Sequence, residues 1–337
     1  MKKKLTALML AVLMMVFGLA ACGDSSTSEE ETTDNTAITF VLDWTPNTNH
    51  TGIYVADKLG YFDEAGLDVE IVQPPDDGAE AMVASGKAQF GVSFQDYLVP
   101  ALAGPEKTMP LTAVAAILQH NLSGIMSDKD LGITSPSKME GHSYATWELP
   151  IEQAILKQCV EADGGDFDEV ELIPEYIDDE VSALKAKQVD TIWVYYGWAG
   201  INAEIKDFAI NYFAFKDIDP AFDYYSPVII ANDDFLADNP DTAKAFMAAV
   251  EKGYEYAIEN PDEAADILVE ANPEIDAELV KASQKYLSDQ YQAEAPRWGV
   301  IDAARWNAFY EFINKEGLAE QEIPMDVGFT NDYLTQK

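Results

Sequence analysis

Residues 38–93, ITFVLDWTPNTNHTGIYVADKLGYFDEAGLDVEIVQPPDDGAEAMVASGKAQFGVS, decide the fold. Residues 38–42 are apolar and partly β-branched, which predicts a strand, and the polar loop 43–49 ends it. Residues 50–59 predict a helix stopped by Gly60. A second strand is expected at 68–72, a turn around Pro74 and Pro75, a helix at 79–85 and a short strand at 90–92. Strands and helices alternating in this way predict a parallel sheet covered by helices, an α/β fold. The same order returns with a strand at 143–145, a helix at 151–160, a strand at 170–173, a helix at 180–186 and a strand at 191–195. The repetition predicts two similar lobes. After Tyr225 come a strand at 227–231 and helices at 241–258 and 277–287, with Pro240 and Pro261 near helix starts. The expected solute-binding domain is 37–337. Its first lobe is about 37–125 plus 228–337 and its second about 126–227, joined by a two-segment hinge with a ligand cleft between them. At 337 residues and 48% hydrophobic composition, the chain has ample material for two cores.

The N-terminus predicts the compartment. Lys2, Lys3 and Lys4 precede an uncharged apolar run, residues 5–21, which reads as a signal peptide, 1–21. The run is at the short end of the roughly 20 residues a membrane-spanning helix needs. Leu19-Ala20-Ala21-Cys22 resembles a lipobox, so Cys22 is expected to be lipidated and to become the mature N-terminus. Two acyl chains on one residue satisfy the two-signal requirement for stable anchoring. Residues 22–36 carry no large apolar side chain beyond the cysteine and read as a flexible tether. The expected localisation is extracytoplasmic, held to the cell membrane by lipid.

Acidic residues number 60 against 21 basic ones, for a formal charge of −39 that grows by three when the signal lysines leave. Such a chain repels phosphate backbones, which excludes nucleic acid as a partner. The acids are dispersed, as over 161–171, and read as a solubilising surface. His50, His120 and His142 are scattered, so no metal site is expected, and neither a cofactor nor a catalytic residue is. Cys159 alone would remain after lipidation, leaving no intramolecular disulfide. The chain is expected to act as a monomer.

The candidate ligand-binding residues stand where strands end. Trp44, Asn47 and His50 follow the first strand; Ser93 and Tyr97 follow the third. Trp147 and Glu148 follow the first strand of the second half, with Glu152 just inside the next helix. Tyr195, Tyr196 and Trp198 follow a further strand, and Tyr225 precedes the late one. Ligands of open parallel sheets sit beyond the carboxyl ends of strands. Aromatic side chains there can stack on a flat ligand, and Asn, Ser and Glu can define its hydrogen-bonding edges. Glu152 and Asn47 are the expected readers of a donor-beside-acceptor edge, with Glu148 in reserve. Several of these residues also have a competing structural role: core packing for Trp44 and for at least one of Tyr195, Tyr196 and Trp198, a turn for Asn47, and a helix end for Glu148 and Glu152.

The segment from Leu42 to Ala56, with Asp43-Trp44-Thr45-Pro46-Asn47 near its start, resembles the NMT1/THI5-like family. So do Gly60-Tyr61-Phe62, Tyr195-Tyr196-Gly197-Trp198, Tyr225-Ser226-Pro227 and Arg297-Trp298-Gly299. The resemblance covers nearly the whole chain after the tether. It implies a type II periplasmic binding protein fold. It also implies kinship with lipoproteins that capture thiamine pyrimidine precursors, such as formylaminopyrimidine or hydroxymethylpyrimidine, and hand them to an ABC transporter permease. The family also contains enzymes that build the pyrimidine, using a lysine and a histidine after the third strand and a cysteine-rich run. Here that stretch is Gly91-Val92-Ser93-Phe94-Gln95-Asp96-Tyr97, without lysine or histidine, so a binding protein and not an enzyme is expected. A sulfonate or nitrate site should offer cationic donors, and none of the strand-end segments carries Lys or Arg. A riboflavin-like ring, planar as well, stays open as an alternative.

Overall fold

The computed structural model describes residues 35–103 and 109–335. The expected signal peptide, Cys22 and nearly all of the tether lie outside the described residues. The strands are β1 Thr36–Val41, β2 Leu67–Val72, β3 Phe90–Ser93, β4 Leu111–Ala116, β5 Ser123–Asp128, β6 Ser143–Thr146, β7 Glu171–Pro174, β8 Thr191–Tyr195, β9 Ile210–Ala214 and β10 Val228–Asn232. The helices run α1 Thr51–Lys58, α2 Tyr61–Glu64, α3 Gly78–Ala84, α4 Val99–Leu102, α5 Pro150–Ala162, α6 Glu180–Lys185 and α7 Ile201–Ile205. They continue with α8 Asp233–Asp238, α9 Pro240–Glu259, α10 Pro261–Ala271, α11 Ala277–Leu287 and α12 Ala303–Lys315. None of these is long and apolar enough to cross a membrane.

The strands form two sheets, ordered β2-β1-β3-β10-β4 and β7-β6-β8-β5-β9. The two orders are the same pattern, with β10 and β5 in equivalent places. A wholly parallel sheet was expected, and each sheet instead has one strand that breaks the direction: β10 runs antiparallel to β3 and β4, and β5 antiparallel to β8 and β9. The reason is topological. The other strands point their carboxyl ends at the cleft, whereas β5 and β10 begin there, just after the chain has crossed from one sheet to the other. Two mixed sheets linked in this way are the type II periplasmic binding protein arrangement.

Each sheet is covered on both faces, which its near-continuous apolar strands require. Phe40 and Phe90 in the first sheet meet Phe246 of α9, with Phe90 stacked on it at 4.1 Å. The opposite face buries Val41 with Val83 of α3 and Trp306 of α12. In the second sheet Tyr144 packs with Ile155, Leu156 and Cys159 of α5. Ile192 and Val194 pack with Val181 and Leu184 of α6 and Ala203 of α7. Cys159 is buried and unbridged.

The two crossings, residues 117–122 and 215–227, are tied together. His120 places Nδ1 2.7 Å from Asp223 Oδ2 and Nε2 2.8 Å from Glu294 Oε2. Asn121 donates Nδ2–H to Phe222 O at 2.9 Å. Arg305 of α12 reaches both Asp223 and Glu294. The neighbouring carboxylates raise the His120 pKa, Asp223 most of all.

Candidate functional site

The loop after β1 is built as a rigid shelf. Asn47 accepts the Asn49 N–H through its side chain at 2.9 Å and donates Nδ2–H to Thr45 O at 3.0 Å. The Asn47 N–H donates to His50 Nδ1 at 3.1 Å. His50 Nε2 is therefore the nitrogen that carries hydrogen, and it donates to Asp43 Oδ1 at 2.6 Å. The C-terminal helices hold the shelf from behind. Tyr254 and Tyr291 donate their hydroxyls to Asn49 O and Thr48 O, each at 2.6 Å. Thr48 Oγ1 lies 2.6 Å from Ser283 Oγ on α11.

Across from the shelf stand the ends of β6, β7 and β8, and between the two sets lies a cavity of about 390 Å³. Its size is typical of small-molecule sites. Trp44, Asn47, Tyr97, Trp147, Tyr195 and Trp198, all expected at the site, line it. Phe94 from the first lobe stacks at 5.8 Å on Tyr195 from the second, so the rings oppose each other across the cleft. Trp147 sits 5.7 Å from Trp193, which is itself held at 4.2 Å by Phe215.

Six expected residues are not in the lining, each for a physical reason. His50 is fully buried behind Asp43 and acts on the site only by positioning that carboxylate. Ser93 is buried and donates its hydroxyl to Glu80. Glu148 is exposed, and its backbone lies in the left-handed region at φ 60. Tyr196 packs on Tyr212 and Tyr286 and donates to Glu204. Tyr225 is buried against α12, where its hydroxyl accepts the Asp302 N–H at 2.8 Å.

Glu152 is the largest correction. Its carboxylate accepts from Tyr144 Oη at 2.7 Å, Thr146 Oγ1 at 3.1 Å, Trp147 N at 3.0 Å and Leu149 N at 3.2 Å. It closes a capping box at the start of α5 and has no lone pair to spare for a ligand. Glu152→Gln replaces one acceptor oxygen by a donor that faces other donors. It should lower stability in chemical denaturation by roughly 1–2 kcal/mol and leave the ligand affinity of the folded protein unchanged.

Asp43, Phe94, Glu175, Tyr176, Asp178, Glu180 and Trp193 line the cavity without having been singled out. Asp43 is the first residue of the polar loop beyond β1, and Glu175 to Glu180 follow the end of β7. The strand-end rule finds these loop residues when it is applied to every strand. Trp193, inside β8, gives no such signal. It is 5% exposed, and its Nε1–H has no partner among the described residues.

The electrostatics are one-sided. The lining contains no lysine, arginine, histidine or cysteine. Burial pushes Glu180 up to about 7, and also Asp96, under the first-lobe wall. Burial raises Glu80 too. Among the described residues no group of three or more His, Cys, Asp or Glu side chains is arranged to hold a metal ion.

Comparison with known proteins agrees with this architecture. The alkanesulfonate-binding protein of Xanthomonas axonopodis pv. citri, bound to MOPS, superimposes with a TM-score of 0.66 at 10% identity, covering 88% of this chain and 99% of that one. The ligand-binding component of an ABC-type import system from Staphylococcus aureus gives 0.64 at 16% identity, covering 88% and 96%. In sequence, the formylaminopyrimidine-binding protein of Halalkalibacterium halodurans is 29% identical over 334 residues, 97% of this chain and 98% of its own length. A 4-amino-5-hydroxymethyl-2-methylpyrimidine phosphate synthase of Saccharomyces cerevisiae is 26% identical over 329 residues, 88% of each chain. Residues 47–264 match the family model described as NMT1/THI5 like, and the chain belongs to that family.

Proposed function

We propose that this chain is the substrate-binding component of an ABC importer, anchored outside the membrane through lipid on Cys22, and that its cargo is a thiamine pyrimidine precursor, an aminopyrimidine of the formylaminopyrimidine type. The observation that carries the reading is the cavity between the lobes, walled by aromatic faces and carboxylates. Stacked rings suit a flat heterocycle. Carboxylates accept from an exocyclic amine. The similarity to a formylaminopyrimidine-binding protein over nearly the full length of both chains supports the same ligand class.

Two neighbouring readings fare worse. A synthase of the kind found among the relatives would need an amine for Schiff-base chemistry, and no lysine lines the cavity. A sulfonate would need cationic or clustered N–H donors and would instead face Asp43, Asp178 and Glu180.

Calorimetry on the soluble domain, 35–337, tests the proposal. Formylaminopyrimidine should bind and an alkanesulfonate should not. Alanine at Trp44, Trp147 or Trp198 should each weaken binding by about 1–3 kcal/mol, as for aromatic stacking on nucleobases. A sulfonate bound more tightly than the pyrimidine would overturn the reading.

A further inference from the structure

Charge in the cavity wall is of one sign. Asp43 stands on the first-lobe side; Glu175, Asp178 and Glu180 stand on the other. Two of these already have partners: Asp43 accepts from His50, and Glu175 accepts from Gln188 Nε2 at 2.5 Å. Asp178 and Glu180 make no ion pair among the described residues. Behind the first-lobe wall Glu80 holds the Ser93 hydroxyl, and Asp96 Oδ1 is buried without a hydrogen-bond partner among the described residues.

The rings between the carboxylates present electron-rich faces, and a cation within reach of such faces is attracted by them. Carboxylates flanking aromatic rings, with no lysine or arginine in the lining itself, make a receptor for positive charge. A bare metal ion or a simple ammonium does not complete this site. Trp44, Trp147 and Trp198 line the same space and offer flat faces for an occupant to stack on. The fitting occupant is a flat cation.

Resting on the reading that the cargo is an aminopyrimidine, we propose that the cavity takes the ring in its protonated form, as an aminopyrimidinium, with Glu180 and Asp178 selecting the charged ring over the neutral one. Burial holds Glu180 at about 7, so in the empty cavity at neutral pH it is protonated for much of the time. On binding, that proton passes from the carboxylic acid to the ring nitrogen. A neutral acid and a neutral ring become a carboxylate and a ring cation, with no net change in protons.

The groups facing Glu180 are Asp178, Asp179 and Lys206. Those facing the ring from the first lobe are Asp43, with His50 behind it, Tyr97, and more distantly Glu80 and Asp96. Tyr176 and Tyr195 complete the set, and burial raises both phenols. The phenols therefore stay neutral through the pH range that matters. Affinity should peak near neutral pH. It falls on the acid side as the carboxyls protonate and on the alkaline side as the ring loses its proton.

The experiment is calorimetry on the soluble domain with three probes: formylaminopyrimidine, the same molecule with a ring fluorine in place of hydrogen, and a permanently charged N-methylpyridinium. The fluorinated ring has nearly the same shape and is much less basic. It should bind at least about tenfold more weakly at neutral pH. Glu180→Gln should weaken the parent by about tenfold and the fluorinated ring little, closing the gap. Equal affinity for the two pyrimidines, with the gap unmoved by Glu180→Gln, overturns charge selection and leaves the aminopyrimidine reading standing. Binding of the charged pyridinium with neither pyrimidine bound overturns the aminopyrimidine reading and leaves charge selection standing. Failure of all three probes to bind overturns both.

Discussion

Gly253→Ala is expected to destabilise the folded chain by roughly 3 kcal/mol, the upper end of what overpacking costs, measured as a shift of the urea midpoint. A Cβ at position 253 would lie 2.0 Å from the Gly52 carbonyl oxygen, and one at position 52 would lie 2.3 Å from the Tyr254 ring. Helices α1 and α9 thus meet backbone to backbone. A side chain could turn aside, but here the obstacle is main chain and the helices must part. The damage would reach the cavity, because Tyr254 stacks on Trp298 at 4.2 Å and donates to Asn49 O in the shelf. Gly86→Ala is the control. Its φ of +73° is strained for alanine, but nothing lies within 4 Å, so only about 1 kcal/mol of backbone cost is expected. Equal losses at the two positions would show that the helix approach is not the constraint.

Asp43→Asn should weaken ligand binding by about 2 kcal/mol, about 30-fold in Kd, with an unchanged far-ultraviolet spectrum and thermal midpoint. His50 aims this carboxylate through one hydrogen bond, and its other nitrogen is fixed by the Asn47 N–H. An amide at position 43 keeps an oxygen for His50 but loses the charge that would attract the ligand's donors. His50→Gln leaves the charge and loosens its aim, so a smaller loss is expected. If Asp43→Asn binds as tightly as the unaltered chain, the first-lobe carboxylate takes no part in recognition.

The alternation of strands and helices in residues 38–93 was legible because each segment carries its own period and its own stop. The expected helix at 277–287 coincides with α11, and the expected strand at 191–195 with β8. Strands β4, β5 and β9 were missed. They sit at or beside the crossings, where the direction breaks and no helix intervenes to mark them. Within the site, Trp44, Trp147, Tyr195 and Trp198 were legible because a large ring just past a strand end has few other uses. Tyr195 and Tyr196 are adjacent, yet only the first faces the cleft, since the chain enters a π-turn at Tyr196–Gly200 that swings the second outward. Glu152 and Asn47 show the opposite limit. A polar side chain near a helix start serves the backbone donors within its reach first, and only coordinates show whether any capacity is left over.

The place of β10 sets an order of assembly. Strands β3 and β4 pair with β10 and not with each other, so the first sheet lacks its middle until the chain has travelled through the second lobe and come back. The second sheet needs only β5 to β9, one uninterrupted stretch from Ser123 to Ala214. A chain emerging N-terminus first can therefore finish its second lobe while the first still has two open edges, and such edges invite pairing with other chains. Completion of the N-terminal lobe is then among the last events of folding, and the cavity cannot form before it.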